Sequence, residues 1–326
     1  MAQLRISVVL EGDNEKHCPE SNDGPLCLGI EGLLEQDYPL EHVDLILVGS
    51  AAQVERWGRR TETSGFGRVR VIAAEDCDYL AMKHRGARDA ICPLLAFLDS
   101  DVKPGPRWLT TLVESLESGN AVAAGLTRME WHGRLGPDSA LMLAYGAVCW
   151  GAILGPDRVL GFHANNVGFR GELLDVAWYR TGLLRACAAQ ELFQAWVVAG
   201  RKAAFRREQT VVHSFSLDWW TSMHERAGRE SLLARRIFPH WPHRWVASTG
   251  PLEPLLTAFW RVARDPGQWW RYAGACGVSK ARRTALLPVA FLVSVATRGI
   301  EMWGGYAGLR DGSVSAQKAL YLRARG

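Results

Sequence analysis

Residues 93–101 read PLLAFLDSD, an uninterrupted apolar run that ends in two carboxylates. A run of this length without polar alternation indicates a strand buried on both faces of a parallel sheet. Asp99 and Asp101 then lie at the carboxyl end of that strand, where open α/β sheets bind their ligands. Carboxylate oxygens suit Mn²⁺ or Mg²⁺, which proteins often hold through one or two carboxylates and substrate phosphates. We therefore predict a divalent-metal site at Asp99 and Asp101.

An Asp-x-Asp pattern alone is weakly specific, because acid-rich surface turns produce it as well. The chain contains a second match, Asp76-Cys77-Asp78. That match follows a weaker strand pattern, whereas Asp99 and Asp101 close the most apolar strand of the chain. The context favours Asp99 and Asp101 as the functional pair.

Strand and helix patterns alternate on both sides of this stretch. Three further strands are predicted at Leu4–Leu10, Val43–Val48 and Val69–Ala73. Helices are predicted at about Leu26–Glu35, Tyr79–Ala90 and Trp108–Ser118. This alternation predicts an α/β fold with a mostly parallel sheet flanked by helices. No G-x-G-x-x-G follows the first strand, which excludes the usual dinucleotide-binding fold.

The pattern changes after residue 161. A helix is predicted at Gln190–Ala199, with short strands at Ala203–Phe205 and Thr210–Val212. The sheet-forming pattern ends near Ser214–Trp219. We therefore predict a catalytic domain over 1–218, divided near residue 125 into a nucleotide half (1–125) and an acceptor half (126–218). A helical region rich in Trp and Arg, 219–326, follows it.

Composition is that of a globular protein. Of 326 residues, 48% are hydrophobic and 22% are charged, which excludes a disordered or fibrous chain. Seven scattered cysteines without a C-x-x-C argue against a disulfide scaffold or a zinc knuckle. Residues 1–5 lead into a strand without a signal-peptide pattern. Together these features predict a cytoplasmic protein.

Six features, taken in order, resemble the family-2 type glycosyltransferases of the GT-A fold. The resemblance covers roughly residues 4–230 and depends on the order and spacing of individually weak motifs. The matching stretches are Ser7–Glu15 (SVVLEGDNE), Gln36–Pro39 (QDYP), Lys83–Ala90 (KHRGARDA), Ala96–Val102 (AFLDSDV), Asn165–Arg170 (NNVGFR), and Gln190-Glu191 ahead of Gly200 and His213.

The resemblance implies a donor, a metal and a set of site residues. The donor would be a nucleotide-sugar of the UDP or GDP type, and the acceptor a hydroxyl on a glycan or a lipid-linked molecule. Mn²⁺ or Mg²⁺ would be held by Asp99, Asp101 and His213, and Glu191 would be the base of an inverting transfer. The residues implied on the donor side are Glu11, Asp13, Glu15, Lys83, Arg85, Asp99 and Asn166.

Each assignment has a structural alternative. Lys83 and Arg85 fit a phosphate contact or a solvated helix face. Glu191 fits a general base or an acid favoured in a first helical turn. His213 fits a metal ligand or a buried histidine bonded to backbone. Asn166 fits a ligand contact or a loop cap.

Two departures from the family pattern leave other functions open. Val48-Gly49-Ser50 stands where many members carry an aspartate that reads uracil, and Gln190-Glu191 replaces a Glu-Asp pair. One alternative is therefore a catalytically impaired member that binds a glycan or a protein partner. Another is a nucleotidyltransferase, although the acidic stretch Glu11–Glu15 replaces the basic glycine-rich loop which that chemistry requires.

The C-terminal part of the chain is basic and contains an uncharged run. Residues 254–326 hold 11 Lys/Arg and 3 Asp/Glu, against 27 and 31 in residues 1–253. Thr284–Thr297 has no charge, but at 14 residues it is too short to span a bilayer. Basic flanks and nearby aromatic residues predict peripheral contact with the inner face of a membrane through 282–306, or else a packed core helix. We expect no nucleic-acid partner, since the apolar run dilutes the positive charge.

Overall fold

The computed structural model describes residues 5–21, 24–75, 77–154, 161–171, 200–237 and 244–313. Within these residues the chain forms a mixed α/β fold around an eight-stranded, mostly parallel sheet. The strands in chain order are β1 Ile6–Glu11, β2 Glu20–Ser21, β3 Gly24–Pro25, β4 Val43–Gly49, β5 Arg68–Ala73, β6 Leu94–Asp99, β7 Val102–Pro104, β8 Val122–Glu130, β9 Asn166–Arg170 and β10 Ala203–Ser214. Strands β2 and β3 pair with each other outside the large sheet.

Helices cover both faces of the sheet and continue beyond it. They are α1 Leu28–Leu34, α2 Ala51–Thr61, α3 Tyr79–Asp89, α4 Trp108–Glu117, α5 Ala140–Trp150, α6 Leu217–Ile237, α7 Glu253–Ala275, α8 Lys280–Ala285 and α9 Leu287–Arg310. Side-chain caps fix several starts: Ser50, Asp78 and Ser139 accept backbone N–H groups at the beginnings of α2, α3 and α5.

The large sheet runs in the order β5-β4-β1-β6-β9-β8-β10-β7. Strands β5, β4, β1 and β6 are mutually parallel, and β9 lies antiparallel between β6 and β8. Every residue of β1, β4 and β6 is buried, whereas β5 at the edge is largely exposed. Burial on both faces is the physical reason for the continuous apolar runs in the sequence.

The predicted strands and helices before residue 125 are confirmed, with boundaries shifted by one or two residues. The prediction of two short strands at Ala203–Phe205 and Thr210–Val212 is wrong, because β10 is one strand. Its register against β8 shifts between Arg206 and Thr210, which is a bulge. The bulge contains the polar residues that made the sequence look like a break. The predicted helix Gln190–Ala199 lies outside the described residues.

The C-terminal helices pack against the sheet domain through α5. A hydrophobic core cluster joins α5 and β8 to α6, α7 and α9, and its buried members include Tyr145, Trp269 and Tyr272. Strand β10 ends at Ser214 and α6 begins at Leu217, in the interval where the sequence pattern changes. The helical character predicted beyond residue 219 is confirmed for the described part. The division into separate domains stays a prediction.

Candidate active site

The site lies at the carboxyl ends of β1 and β6. These strands are parallel neighbours, and Glu11 and Asp99 are partners in their register. Both side chains are buried, at 0% and 4% exposure. Parallel neighbours end at the same edge of a sheet, so the two carboxylates meet there. Buried carboxylates require partners, since desolvation strongly disfavours an isolated charge.

Asp99 receives three side-chain donors. Lys83 Nζ lies 2.6 Å from Asp99 Oδ1, Tyr79 OH lies 3.1 Å from both carboxylate oxygens, and Asn14 Nδ2 donates to Oδ2 at 3.1 Å. Lys83 is fully buried, and its ammonium lies over the rings of Tyr79 and Phe97. These contacts hold the first carboxylate of the Asp-x-Asp pair in one orientation.

Helix α3 brings Tyr79 and Lys83 to this site. The two residues are four apart, so they share one face of the helix. Gly86, one turn further on, allows α3 to approach β1 closely: a Cβ there would lie 2.4 Å from Val9 Cγ1. The glycine of the KHRGARDA stretch therefore has a packing role that places the lysine beside the strand ends.

Glu11 organises the turn that follows β1. Its carboxylate accepts the backbone N–H of Asp13 at 2.7 Å and the Asn14 side-chain amide at 2.8 Å. Asn14 thus donates to both Glu11 and Asp99 and joins the two strand ends. Asp13 is half-buried and lies 3.7 Å from Lys16.

Asp101 lies beside His213. The distance from His213 Nε2 to Asp101 Oδ2 is 3.4 Å, and both residues are buried. Strand pairing sets this contact: Val102 of β7 is the register partner of His213 of β10, and the Ser214 N–H donates to the Asp101 carbonyl. A residue distant in sequence is thereby brought to the second carboxylate.

Aromatic rings surround the imidazole of His213. The Trp219 ring centroid lies 4.8 Å from that of His213, and the Trp150 centroid lies 5.9 Å away. Trp150 also packs edge-on against His163 at 4.3 Å. Burial lowers the pKa of His163 to about 4, and the nearby His213 ring adds to the effect. These contacts keep His163 neutral near neutral pH.

The pKa of Cys18 is affected by the negative charge of this region. Its thiol donates to the Ser100 carbonyl at 3.3 Å. Burial raises the pKa of Cys18, and the Asp101 carboxylate raises it further. The thiol is therefore protonated near neutral pH.

The Glu15 carboxylate is bonded to side chains of the protein itself. It forms an ion pair with Arg56 and accepts Trp57 Nε1 at 2.7 Å and Gln53 Nε2 at 2.8 Å. These three donors all come from α2. The geometry therefore favours a role in holding α2 against the turn after β1.

Gln53 also connects the ends of β1 and β4. Its amide nitrogen donates to the Gly12 carbonyl at 3.0 Å, and its amide oxygen accepts the Ser50 N–H at 2.8 Å. Ser50, which follows β4 directly, is therefore the N-cap of α2 and forms a capping box with Gln53.

Asn166 lies in the core, where β9 meets the bulge of β10. Its Oδ1 accepts Trp108 Nε1 at 2.8 Å and Gln209 Nε2 at 3.2 Å, and its Nδ2 donates to Thr127 Oγ1 and the Gln209 carbonyl. All four hydrogen-bonding positions of the amide are thus used. Neither sequence interpretation, ligand contact or loop cap, describes this position, because Asn166 is a buried strand residue.

The remaining predicted residues are placed as follows. Lys83 is neither at a solvated helix face nor directed at a free phosphate position, since its ammonium is paired with Asp99. Arg85 is exposed on α3. Glu191 lies outside the described residues, so its proposed role stays a prediction.

Sequence reasoning missed Asn14 and Tyr79. Asn14 stands within the SVVLEGDNE stretch, and Tyr79 precedes Lys83 by one helical turn. The four-residue spacing of Tyr79 and Lys83 is a signal that could have identified the shared face. No pattern along the chain could show that this face meets Asp99.

The donor set near Asp101 fits a cation bound partly by substrate. Among the described residues no group of three or more His, Cys, Asp or Glu side chains is arranged to hold a metal ion. Asp101 and His213 nevertheless supply one carboxylate and one imidazole side by side. Asp99, two residues earlier in the chain, is held by Lys83 and Tyr79 instead. Mg²⁺-type ions need only one or two such protein ligands when phosphates complete the shell. The residues present therefore fit such an ion.

Comparison with known proteins shows that the chain resembles solved structures in its fold. No family model matches the chain, and no curated protein matches it. Among solved structures, the chain resembles the mannosyltransferase PcManGT from Pyrobaculum calidifontis, determined in complex with GDP-Man and Mn²⁺, with a TM-score of 0.56 at 15% identity. The match covers 94% of this chain and 87% of that protein. S. aureus TarS 1-349 in complex with UDP matches with a TM-score of 0.48 at 14% identity, covering 95% and 92% of the two chains.

Proposed function

We propose that this chain is a glycosyltransferase of the GT-A fold that transfers a sugar from a nucleotide-sugar donor to a hydroxyl group. The observation that carries the proposal is the pairing of Asp101 with His213, 3.4 Å apart, directly after the strand that ends in Asp99. The fold shared with a mannosyltransferase determined with GDP-Man and Mn²⁺ supports it. A carboxylate and an imidazole beyond the end of this strand suit the binding of a metal diphosphate.

In this proposal Asp101 and His213 hold Mn²⁺ or Mg²⁺, and Asp99 supports them. When bound, such a cation would neutralise the negative charge that develops on the departing diphosphate. Lys83, Tyr79 and Asn14 hold Asp99 in place, so its carboxylate does not reorganise when the donor binds. The rings of Trp150 and Trp219 limit water around His213.

Proton transfer is assigned to Glu191. The acceptor hydroxyl must lose its proton as it attacks the sugar, and a carboxylate directed into the cleft can take it. Direct attack of this kind inverts the configuration at the sugar carbon. We further propose a glycan or lipid-linked acceptor and peripheral contact with the inner face of a membrane through residues 282–306. Within the described residues, no helix has the length and apolar content needed to cross a bilayer.

The proposal is tested by thermal unfolding of the protein with GDP, UDP and ADP, each with and without Mn²⁺. A ligand present at about a hundred times its Kd stabilises the folded state by about 2.7 kcal/mol. We expect GDP or UDP to raise the Tm only when Mn²⁺ is present. If no nucleotide raises the Tm under any condition, the proposal fails and the impaired, glycan- or partner-binding alternative is favoured.

A further inference from the structure

Helix α9, up to Arg310, is inverted relative to an ordinary surface helix: its charged side chains face inward and several large apolar side chains face solvent. Helix α7 shares this distribution only in part: it buries Asp265 and exposes Phe259, but it also buries Trp269 and Tyr272 and exposes Arg264. On α9, Arg298 and Glu301 are both 6% exposed, while Phe291 is 48% and Leu292 68% exposed. Surface helices of globular proteins normally show the opposite distribution. An inverted helix places its apolar side chains against something other than water.

The inward charges form a closed network between the two helices. Arg298 donates to both oxygens of Asp265, with Nε 2.9 Å from Oδ2 and Nη2 3.0 Å from Oδ1. Its Nη1 donates to Glu301 Oε1 at 2.7 Å, and Arg261 Nη1 lies 2.5 Å from Glu301 Oε2. Ser294 adds a hydrogen bond to Asp265. These contacts pair the buried charges with one another on the inner side of the two helices.

The network also attaches the helices to the sheet domain. His224 of α6 lies between Glu301 and Tyr145 of α5, at 3.1 Å and 3.0 Å. Arg298 Nη2 donates to the Val148 carbonyl of α5. The outward orientation of the apolar side chains is therefore fixed by polar contacts on the inner side.

The outward side chains of α9 run along the helix without a charged residue before Arg310. The exposed large apolar residues of α7, of α9 and of the segment 244–252 before α7 are Trp245, Leu252, Leu255, Phe259, Trp260, Trp270, Leu287, Phe291, Leu292, Val295 and Trp303. Helices α7 and α9 pack against each other. Tryptophan is enriched where a protein surface meets the headgroup region of a bilayer.

Basic side chains accompany this surface. Helix α8, which contacts both α7 and α9, carries exposed Lys280 and Arg282. Arg283 of the same helix lies over the Trp270 ring, 4.8 Å from its centroid. Residues 254–326 hold 11 Lys/Arg against 3 Asp/Glu. Positive charge beside an exposed apolar surface matches anionic lipid headgroups above acyl chains.

We infer that the outer faces of α7 and α9 form a lipid-binding surface that seats the protein on an anionic bilayer, with α8 contacting the headgroups. This inference deepens the membrane contact proposed above: it extends the surface from residues 282–306 to α7 and assigns the buried ion pairs the role of orienting it. Its test measures vesicle binding alone, so the absence of glycosyl transfer would not affect the result.

The experiment is flotation of the full-length protein with vesicles of phosphatidylcholine alone, or of phosphatidylcholine and phosphatidylglycerol in equal parts. We expect the parent to bind the anionic vesicles at low salt and the neutral ones more weakly. The double variant Phe291→Ser/Leu292→Ser should bind on the order of a hundredfold more weakly. Each large apolar side chain that is buried in the bilayer increases the vesicle affinity by about tenfold. Ile91→Ser is the matched control, since Ile91 is 55% exposed outside this surface and its variant should bind like the parent.

A second variant separates the charge from the apolar contact. Lys280→Gln/Arg282→Gln should weaken binding at low salt and match the parent at high salt, where screening removes the electrostatic part. All the substituted side chains are exposed, and unchanged thermal unfolding confirms that each variant is folded. The inference is overturned if the parent does not float with anionic vesicles at low salt, or if Phe291→Ser/Leu292→Ser floats as well as the parent. It is equally overturned if light scattering shows a dimer that this variant dissociates while vesicles are not bound, because a second copy then covers the surface.

Discussion

Lys83 Nζ lies 2.6 Å from Asp99 Oδ1, and the lysine side chain has no exposed surface. The first carboxylate of the Asp-x-Asp pair is therefore bound to a cation of the protein itself. The second carboxylate, Asp101, lies beside His213 instead. The two aspartates, two residues apart, have different partners and therefore suit different tasks: Asp99 supports the site and Asp101 is the stronger candidate for a metal ligand.

Lys83→Met should destabilise the fold by about 3–5 kcal/mol, because it leaves Asp99 buried without its ionic partner. Urea denaturation measures the change in the free energy of unfolding. Adding Asp99→Asn removes the uncompensated charge, so the double variant should recover much of the lost stability. If Lys83→Met unfolds at the same urea concentration as the parent, the ion pair does not form in solution.

Asp101→Asn should weaken Mn²⁺-dependent binding of the preferred nucleoside diphosphate by about 10- to 100-fold. Even groups that only orient a metal ligand are worth this much in metal affinity. The matched control is Asp78→Asn, in the other Asp-x-Asp stretch, where the amide oxygen can still cap α3 as the carboxylate does. Calorimetric titration should show normal binding for the control. Equal loss in both variants, or in neither, places the metal elsewhere.

Glu191→Gln should slow sugar transfer by about 10²- to 10⁴-fold and leave donor affinity almost unchanged, because a general base acts on the acceptor and not on the donor. Single-turnover rates with a bound donor measure the effect. Glu208→Gln, an exposed glutamate in the bulge of β10, is the control and should keep the parent's rate. A full rate in Glu191→Gln would falsify the assignment of the base.

Asn166→Ala should destabilise the protein by about 2–4 kcal/mol, since Trp108 Nε1 and Gln209 Nε2 both lose a buried acceptor. Nucleotide affinity measured on the folded variant should stay at the parent's value. The opposite pattern, unchanged stability with weaker nucleotide binding, would restore the ligand contact expected from the sequence.

Stability should fall as the pH drops from about 6.5 to about 4, with His163 as one cause. The ordinary pKa of histidine is about 6.5, whereas burial lowers the pKa of His163 to about 4 in the folded protein. Between these values the unfolded chain binds a proton that the folded chain does not, so acid favours unfolding. The contribution over this range is about 3 kcal/mol. His163→Gln should show a correspondingly smaller loss in urea titrations at pH 7, 5.5 and 4. An identical pH dependence in parent and variant excludes this origin.

The four strands and three helices predicted before residue 125 follow from local patterns, whereas α2 and β7 were not predicted. Continuous apolar runs such as PLLAFL occur where both faces of a strand are covered, and Asp78 marks the start of α3 by its capping chemistry. The β10 bulge was not predictable. Its polar residue Gln209 is 0% exposed, because its amide bonds to the Ala123 carbonyl and to Asn166 across the sheet.

The site was predictable where chain position alone sets geometry. Asp99 and Asp101 follow a buried strand, and that is sufficient to place them at the carboxyl edge of a parallel sheet. Lys83 was assigned to a phosphate or to solvent, whereas the packing of α3 on β1 turns it toward Asp99. The direction of a helix face cannot be derived from that helix alone.

The sequence by itself determined that alternating strands and helices form an α/β fold, that two carboxylates end its most apolar strand, and that a basic, tryptophan-rich helical region follows. Those properties depend on residues close together in the chain. Only the tertiary structure decided that His213 meets Asp101, that Lys83 and Asn166 are buried, and that Arg298 and Glu301 face inward while Phe291 faces outward. The reason is physical: burial and ionic pairing depend on which surfaces pack together, and a side chain's partner is often a hundred or more residues away.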